Sequence, residues 1–463
     1  MSDTAAGDEP LIVSVSGLRG VVGRGLDGDV AARYAGAFVA TLPPGAVVLG
    51  RDGRSSGPDL AAAIAARVTE LGRDVIDCGV AATPTIGVAV RERQAAGGIQ
   101  ISASHNPARY NGMKLFSAAG RVLTAAAGRD VSDRFTATRE AGSPGRAPRR
   151  GTVTAFDAGP AHAALVAAIV DVAAIRRRRP RVWLDSGHGA GSRVARPLLE
   201  HLGCDVTIEG GDPDGLYEHE PEPTAENLAA LLPRIRRRQA DVGFFQDPDA
   251  DRLAIATADG RYIGEEATLA LAVDAVLART PGPIVVNCST SGMSAALAAR
   301  HGVPCHVSAV GEANVVDAML ASNAVLGGEG NGGVIDPRVV LVRDSFVAMA
   351  LVLERLAQGD AATTVDGLAK ALPSFTMKKA KVGLSAGLRG RALAEAIDRV
   401  AAVFPEAEHS RLDGLRLDWH GGWLLVRPSN TEPIVRIVCE SVGADPGPVD
   451  DAIARATAAL SAG

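Results

Sequence analysis

Val182-Trp183-Leu184-Asp185-Ser186-Gly187 is an apolar run that ends in small and polar residues. An Ala/Leu-rich stretch over 194–202 follows, then Gly203 and a second strand-like run, Asp205-Val206-Thr207-Ile208. The succession predicts strand, loop, helix and strand, with Gly203 closing the helix in a left-handed conformation. The same order occurs twice more. One unit runs from Val47-Val48-Leu49-Gly50-Arg51-Asp52-Gly53 through 60–71 and Gly72 to Asp74-Val75-Ile76. The other runs from Ile284-Val285-Val286-Asn287-Cys288-Ser289 through 295–300 and Gly302 to Cys305-His306-Val307. Three βαβ units at spacings near the usual domain size predict three related α/β mixed-sheet domains in tandem.

After about residue 372 the texture changes. Lys378-Lys379-Ala380-Lys381 and Leu415-Arg416-Leu417-Asp418-Trp419 alternate like strands, and residues 450–462 read as a closing helix. A fourth, smaller α+β domain is expected there. The segment 142–150, rich in Gly, Pro and Arg, and the segment 359–364 read as linkers. The expected domains are therefore 1–150, 151–257, 258–370 and 371–463. Leu11-Ile12-Val13-Ser14-Val15 reads as an opening strand that leads into a Gly-rich turn.

Composition excludes several classes. A net charge of -5 argues against a nucleic-acid binder that relies on overall basicity. The arginine runs 176–179 and 234–238 follow helical stretches, where cations suit a helix C-terminus. The five cysteines, Cys78, Cys204, Cys288, Cys305 and Cys439, form no CxxC pair, which fits reduced thiols and disfavours a disulfide framework or a zinc site. No charged, apolar leader opens the chain, and apolar stretches such as 163–175 are short and broken by Asp171. A soluble cytoplasmic protein with no membrane and no nucleic-acid partner is expected.

Four motifs carry chemistry. Ser102-Ala103-Ser104-His105-Asn106-Pro107 follows the strand-like 98–101, with small residues around Ser104 and a turn imposed by Asn106-Pro107. It reads as a phosphoryl-bearing loop or as an ordinary Asn-Pro turn. Lys114 lies ten residues beyond Ser104 and is the sole lysine before residue 370, in a chain whose 48 Lys plus Arg include only five lysines. An ammonium can lose its proton and relay it, whereas a guanidinium stays charged at any working pH.

Asp247-Pro248-Asp249-Ala250-Asp251-Arg252 presents carboxylates at every second residue after the apolar 242–245. They can converge on one hard cation such as Mg²⁺, or form an acidic turn that satisfies its own backbone. An EF-hand is excluded because Arg252 and Ala258 stand where that loop needs Gly and Glu. Gly327-Gly328-Glu329-Gly330-Asn331-Gly332-Gly333 is followed by Val334-Ile335-Asp336-Pro337 rather than a helix, so it is a poor dinucleotide fingerprint. A flexible loop with one acid and one amide suits sugar hydroxyls, or serves as a glycine hinge. Arg427-Pro428-Ser429-Asn430-Thr431-Glu432-Pro433, with Arg436 just after, offers guanidiniums, hydroxyls and turn amides for a phosphate dianion, or a capped turn between strands.

The four motifs in this order resemble the α-D-phosphohexomutase superfamily over essentially the whole chain, of the phosphoglucosamine mutase and phosphomannomutase/phosphoglucomutase type. The resemblance implies three α/β domains and a C-terminal α+β domain of TATA-box-binding-protein-like fold around a central cleft. It implies that Ser104 is the phosphorylated serine, that Asp247, Asp249 and Asp251 hold one Mg²⁺ with a phosphoryl oxygen on Ser104, and that Lys114 is the general acid/base. Arg19, His105 and Arg252 would lie near the transferring phosphoryl. Glu329 and Asn331 would contact sugar hydroxyls, and Arg427, Ser429, Asn430, Thr431 and Arg436 would clamp the phosphate that is not reacting. Two departures stand out: many members end the sugar loop in Ser-Gly-His where this chain has Asn331-Gly332-Gly333, and Asn430 replaces the commoner Gly.

The implied reaction is reversible interconversion of hexose 1-phosphate and 6-phosphate through a 1,6-bisphosphate, which also serves as activator. Glucosamine phosphate is the first choice of substrate, with mannose or glucose phosphate as the alternative. A metal-dependent sugar-phosphate hydrolase is a more distant reading, and a non-catalytic sugar-phosphate-binding protein comes last. The partner is a small sugar phosphate, and the chain is expected to be a monomer or homodimer.

Overall fold

The computed structural model describes residues 11–141, 147–383, 390–428 and 434–461, the side chains of 138–141 excepted. Each of the three βαβ units forms as read. Val47–Arg51, Gly57–Glu70 and Val75–Val80 make the first, Arg181–Asp185, Ser192–His201 and Asp205–Glu209 the second, and Ile284–Asn287, Gly292–Arg300 and Cys305–Ser308 the third. The strands within each unit pair in parallel. Gly72, Gly203 and Gly302 follow the helices at φ of +79, +78 and +65, the left-handed turn that lets the chain leave a helix without a Cβ clash.

The repeat extends further than the βαβ unit. In each sheet the unit's first strand also pairs in parallel with a third strand: Gly97–Ile101, Val242–Gln246 or Leu326–Glu329. A fourth strand then returns antiparallel to the third: Tyr110–Ser117, Leu253–Thr257 or Gly333–Ile335. All three sheets are thus mixed and share one topology, with a hairpin connection between third and fourth strands. Ser104 lies on the first of these connections, the three aspartates on the second and Asn331 on the third, with Glu329 at its edge. The first sheet is extended by Gly17–Val21 and Ile12–Ser14 at one edge and by Val153–Ala155 at the other. Val153–Ala155 thus pairs with Val75–Val80, although it falls beyond the expected boundary at 150/151. Part of the expected linker, 142–146, lies outside the described residues.

The C-terminal part is a five-stranded sheet in which every pairing is antiparallel, with the helices Gly390–Ala402 and Gly447–Ser461. Its core is its own: Val400, Phe404, Leu417, Leu424, Ile437 and Ala456 cluster together. The first domain also has a cluster of its own, with Tyr34, Phe38, Leu49 and Ile64, but the first three domains are joined by a further continuous core in which Ile86, Leu184, Phe244, Leu269 and Phe346 belong to a single cluster. A small apolar patch of Cys288, Trp423, Leu425 and Val438 joins the fourth domain to the third. The arginine runs end helices as expected, Val172–Arg178 and Leu232–Arg237. Among the described residues no single helix is long and apolar enough to cross a membrane, and all five cysteines are free.

Candidate active site

The three hairpin connections and two neighbouring strands deliver their polar side chains to one place. Ser104 is 2% exposed and adopts φ +49, a left-handed conformation uncommon for a residue with a Cβ. Its Oγ donates to Asp247 Oδ2 at 2.9 Å and lies 3.3 Å from His105 Nδ1. The loop is held by Arg54, buried to 1% exposure, whose guanidinium donates to the carbonyls of Ser104, Asn106, Pro107 and Tyr110. Arg54 is in turn anchored by Asp52, which also accepts from Ser102 Oγ at 2.7 Å, while the Ser104 amide donates to Ser102 Oγ at 2.8 Å. Strained backbone of this kind persists where surrounding contacts over-determine it, and it clusters at functional sites.

Asp247, Asp249 and Asp251 are all fully buried, and their carboxylate oxygens lie within 4.8 Å of one another. The turn needs Ala250 at φ +55 and is strapped from every side. The Asp249 carbonyl accepts from Thr83 N at 2.9 Å, the Pro248 carbonyl from Ala190 N at 2.8 Å, and the Ala250 carbonyl from Ser345 Oγ at 2.7 Å. Thr83 Oγ1 also donates to Asp249 Oδ2. Burial, together with Asp251 and Asp249, pushes the Asp247 carboxyl well above its ordinary range. Asp251 goes the other way: burial opposes its charge, but Arg343, Lys114 and Arg252 hold it ionised.

Lys114 lies on Tyr110–Ser117, opposite Gln100, and its Nζ donates to Asp249 Oδ2 at 2.6 Å and to Asp251 Oδ2 at 2.7 Å. Burial alone would lower the ammonium, but these two carboxylates raise it above its usual value. Arg19, on Gly17–Val21, donates to Asn106 Oδ1 at 2.6 Å, and burial lowers its pKa. Its strand can approach so closely because Gly17 has no side chain: a Cβ there would lie 2.0 Å from the Met113 carbonyl oxygen. The Arg252 amide donates to Asp247 Oδ1 at 3.1 Å, while its Nε is buried without a hydrogen-bond partner. Burial, with Arg252 and Arg19 nearby, pushes the His105 imidazole down to about 2, so it is neutral in the working range.

Two buried carboxylate oxygens, Asp249 Oδ1 and Asp251 Oδ1, have no hydrogen-bond partner, and Arg252 Nε stands 3.8 Å from the second. Unmatched anionic oxygens in a dry site are costly unless a cation meets them. Three convergent carboxylates without sulfur or imidazole are the donor set of a hard divalent ion. The residues fit Mg²⁺.

The glycine-rich segment departs from its expectation as a flexible loop. Leu326–Glu329 and Gly333–Ile335 are buried paired strands, so the segment is a tight hairpin. Glu329 is 4% exposed, accepts from Asn287 Nδ2 at 2.7 Å and Gly311 N at 3.0 Å on Oε1, and from Arg343 Nη1 at 2.6 Å on Oε2. These donors hold Glu329 below its ordinary value despite burial. Asn331 Oδ1 accepts from Gly333 N at 3.3 Å.

In the C-terminal sheet Arg427 and Arg436 stand directly opposite each other, and Lys381 stands opposite Arg436. The three cations therefore line one row across three strands. Arg427 Nε donates to Asp413 Oδ1 at 2.9 Å. Ser429, Asn430 and Thr431 lie outside the described residues.

Several site residues escaped the sequence reading: Asp52, Arg54, Ser102, Thr83, Arg343 and Lys381. Asp52 and Arg54 sit directly after the first strand of the first repeat, a position whose polarity was legible. Arg343 precedes Asp344, which caps the helix Ser345–Gln358 by accepting from Phe346 N and Val347 N, but nothing in the local pattern marks Arg343 itself.

Comparison with known proteins is consistent along the whole length. The chain matches phosphoglucomutase/phosphomannomutase alpha/beta/alpha domain I over residues 11–142, domain II over 160–260, domain III over 265–375 and the C-terminal domain over 384–446. It is 34% identical over 440 residues to a phosphoglucomutase/phosphomannomutase of Thermococcus kodakarensis, covering 92% of this chain and 93% of that one. A probable phosphoglucosamine mutase of the same organism is 32% identical over 427 residues, with 92% and 93% covered. The crystal structure of a phosphoglucomutase/phosphomannomutase family protein from Burkholderia thailandensis superposes with a TM-score of 0.84 at 28% identity, covering 98% and 99% of the two chains.

Proposed function

Since this chain belongs to the phosphoglucomutase/phosphomannomutase family of isomerases, we propose that it interconverts hexose 1-phosphate and 6-phosphate, with glucosamine phosphate as the preferred substrate and mannose or glucose phosphate as the alternative. The observation that carries the mechanism is the meeting of Ser104 Oγ with Asp247 at 2.9 Å while Lys114 Nζ rests on Asp249 and Asp251 at 2.6 and 2.7 Å. Nucleophile, cation site and proton carrier come from different elements, yet share one buried cluster. The probable phosphoglucosamine mutase among the relatives supports the choice of sugar.

In this reading Ser104 carries the phosphoryl group in the active enzyme. Its bond to Ser104 Oγ breaks as a bond to the oxygen of the free sugar hydroxyl forms, Lys114 takes the proton of that hydroxyl, and that proton passes on to the freed Ser104 Oγ. The resulting 1,6-bisphosphate turns end for end. Its other phosphoryl then returns to Ser104 Oγ, and the Ser104 proton passes through Lys114 to the released sugar oxygen. Positioning and charge neutralisation account for most of the rate, because phosphoryl transfer asks little covalent chemistry of the protein. Arg19 and Arg252 flank the phosphoryl position, and the neutral His105 imidazole offers Ser104 a hydrogen-bond partner without adding charge. Asp247, Asp249, Asp251 and the phosphorylated Ser104 are the residues we assign to Mg²⁺, which when bound offsets phosphoryl charge and relieves the carboxylate field that holds Lys114 protonated. Glu329 and Asn331 face the sugar, while Arg427, Arg436 and the segment 429–431 take the distal phosphate.

The test is a phosphorus NMR assay with Mg²⁺ and catalytic glucose 1,6-bisphosphate. Glucosamine, glucose, mannose and N-acetylglucosamine phosphates are compared, with Ser104→Ala as control. Conversion that disappears in the control is expected, fastest for glucosamine phosphate. Release of inorganic phosphate alone would replace the mutase with a hydrolase.

A further inference from the structure

The side chain of Arg343 runs between the cation-binding turn and the sugar hairpin, and touches both. Its Nη2 donates to Asp251 Oδ2 and its Nη1 to Glu329 Oε2, each at 2.6 Å, and the residue is 8% exposed. Its backbone amide donates to Glu312 Oε1 at 2.7 Å, which fixes where the side chain starts. The path is kept open by a missing side chain: a Cβ on Gly333 would lie 2.3 Å from Arg343 Cδ and 2.9 Å from Cγ. Those are mid-chain methylenes with buried contacts at both ends, so they cannot swing aside.

The lone pairs of the two carboxylates are unevenly filled. Asp251 Oδ2 accepts from both Lys114 and Arg343, which fills it, while Oδ1 has no hydrogen-bond partner. Glu329 Oε1 accepts from Asn287 and Gly311, which fills it, while Oε2 accepts from Arg343 alone. The fork therefore completes the filling of Asp251 Oδ2, which leaves Oδ1 as that carboxylate's free oxygen, and takes one of the two lone pairs left on Glu329 Oε2.

We infer that Arg343 is the positioning residue that couples the two ends of the reaction centre. By occupying Asp251 Oδ2 it turns Oδ1 toward the cation, and by occupying one lone pair of Glu329 Oε2 it leaves a single acceptor for a sugar hydroxyl. A change at the sugar carboxylate is thereby felt at the cation carboxylate. The sugar half rests on the phosphohexomutase reading, but the coupling itself does not require turnover.

Calorimetric titration of the full chain with Mn²⁺ and with Mg²⁺ tests it directly, in wild type, Glu329→Gln, Arg343→Lys and the double variant. Lys keeps the charge but cannot fork across two carboxylates. Arg343→Lys is expected to weaken cation binding about 3- to 10-fold. Glu329→Gln, which touches no proposed cation ligand, is expected to change the cation Kd several-fold in wild type and less than about twofold in Arg343→Lys. Equal effects in both backgrounds would mean that only through-space charge connects the carboxylates, and would overturn the coupling. Unchanged affinity in Arg343→Lys would overturn it as well.

Gly333→Ala provides a check that leaves Arg343 in place. It is expected to weaken cation binding in wild type and to be nearly silent in Arg343→Ala; equal damage in both would refute the threading argument. Coupling seen without conversion of any hexose phosphate would leave this inference standing and sink the mutase reading. Conversion without coupling would do the reverse.

Discussion

The centre around Ser104 and the row of cations on the C-terminal sheet serve the same substrate in the proposed reaction, yet they are built in opposite ways. At the centre, Lys114, Asp249, Asp251, Arg343 and Glu329 form a continuous buried ion network with members from all three α/β domains. Those domains also share one apolar core. The cation row belongs to a domain with its own core, tied to its neighbour by a small apolar patch and a handful of polar contacts. Arg416 Nη1 donates to the Cys288 carbonyl at 2.5 Å, Gly292 N to Glu440 Oε2 at 2.7 Å, and Val310 N to Asp413 Oδ2 at 3.0 Å. The difference matches what each end has to do. Preorganised charge is most valuable where bonds change, since it need not reorganise during reaction, whereas a clamp for either of two phosphates must tolerate a substrate that turns around.

The sharpest way to break this contrast is at Lys114. Arg at this position keeps the charge facing Asp249 and Asp251 but removes the proton relay. Turnover in the phosphorus NMR assay is expected to fall by about 10²–10⁴-fold with the thermal midpoint little changed. Near-normal turnover would show that charge alone is needed, and the proton carrier would have to be sought elsewhere.

A substitution in the cation row should behave differently. Arg427→Ala removes a guanidinium far from the reacting bond in sequence and on a separately cored domain. Loss of binding shared by ground state and transition state raises KM and leaves kcat. We expect KM for the sugar phosphate to rise about tenfold and kcat to stay within about threefold. A fall in kcat equal to the fall in kcat/KM would mean that the C-terminal sheet takes part in the transition state, and the contrast between the two ends would collapse.

How much of this was legible in the sequence follows from the range of the forces involved. The repeats could be read because strand, helix and terminating glycine are local patterns, and Gly72, Gly203 and Gly302 stand where a left-handed exit is needed. The acidic turn could be read because its three carboxylates are neighbours in the chain. Arg343 could not: its partners Asp251 and Glu329 are 92 and 14 residues away, and an arginine before a helix cap looks like any other. Arg54 is similar, since its four carbonyl partners are set by a loop about 50 residues on. The glycine-rich hairpin was misjudged as flexible because composition reports freedom of the backbone, not the pairing that removes it. Glu329 is rigid there because Asn287, Gly311 and Arg343 meet it in three dimensions.

The smallest effect on turnover is expected on the seam between the two regions, at Glu266, where the change is read in stability instead. Its Oε2 accepts from Ser291 N at 2.9 Å, and a Cβ on Gly330 of the sugar hairpin would lie 2.0 Å from that oxygen. Its Oε1 is buried without a hydrogen-bond partner, 3.6 Å from Lys379 Nζ on the C-terminal sheet. Burial pushes the carboxyl up to about 8, against the pull of Lys379. The folded pKa thus lies above the unfolded one, so the folded chain holds the proton more tightly. The associated stability is complete below the unfolded pKa of about 4.3 and is lost as pH rises through 8. Glu266→Gln keeps a neutral acceptor for Ser291 and removes that loss. The variant should match wild type in thermal midpoint near pH 4 and exceed it above pH 8, with the gap opening between those values. Parallel midpoint curves across that window would mean that Glu266 is already ionised and paired with Lys379, making the seam a salt bridge. The C-terminal domain would then be tied to the centre by charge, as the three α/β domains are to one another.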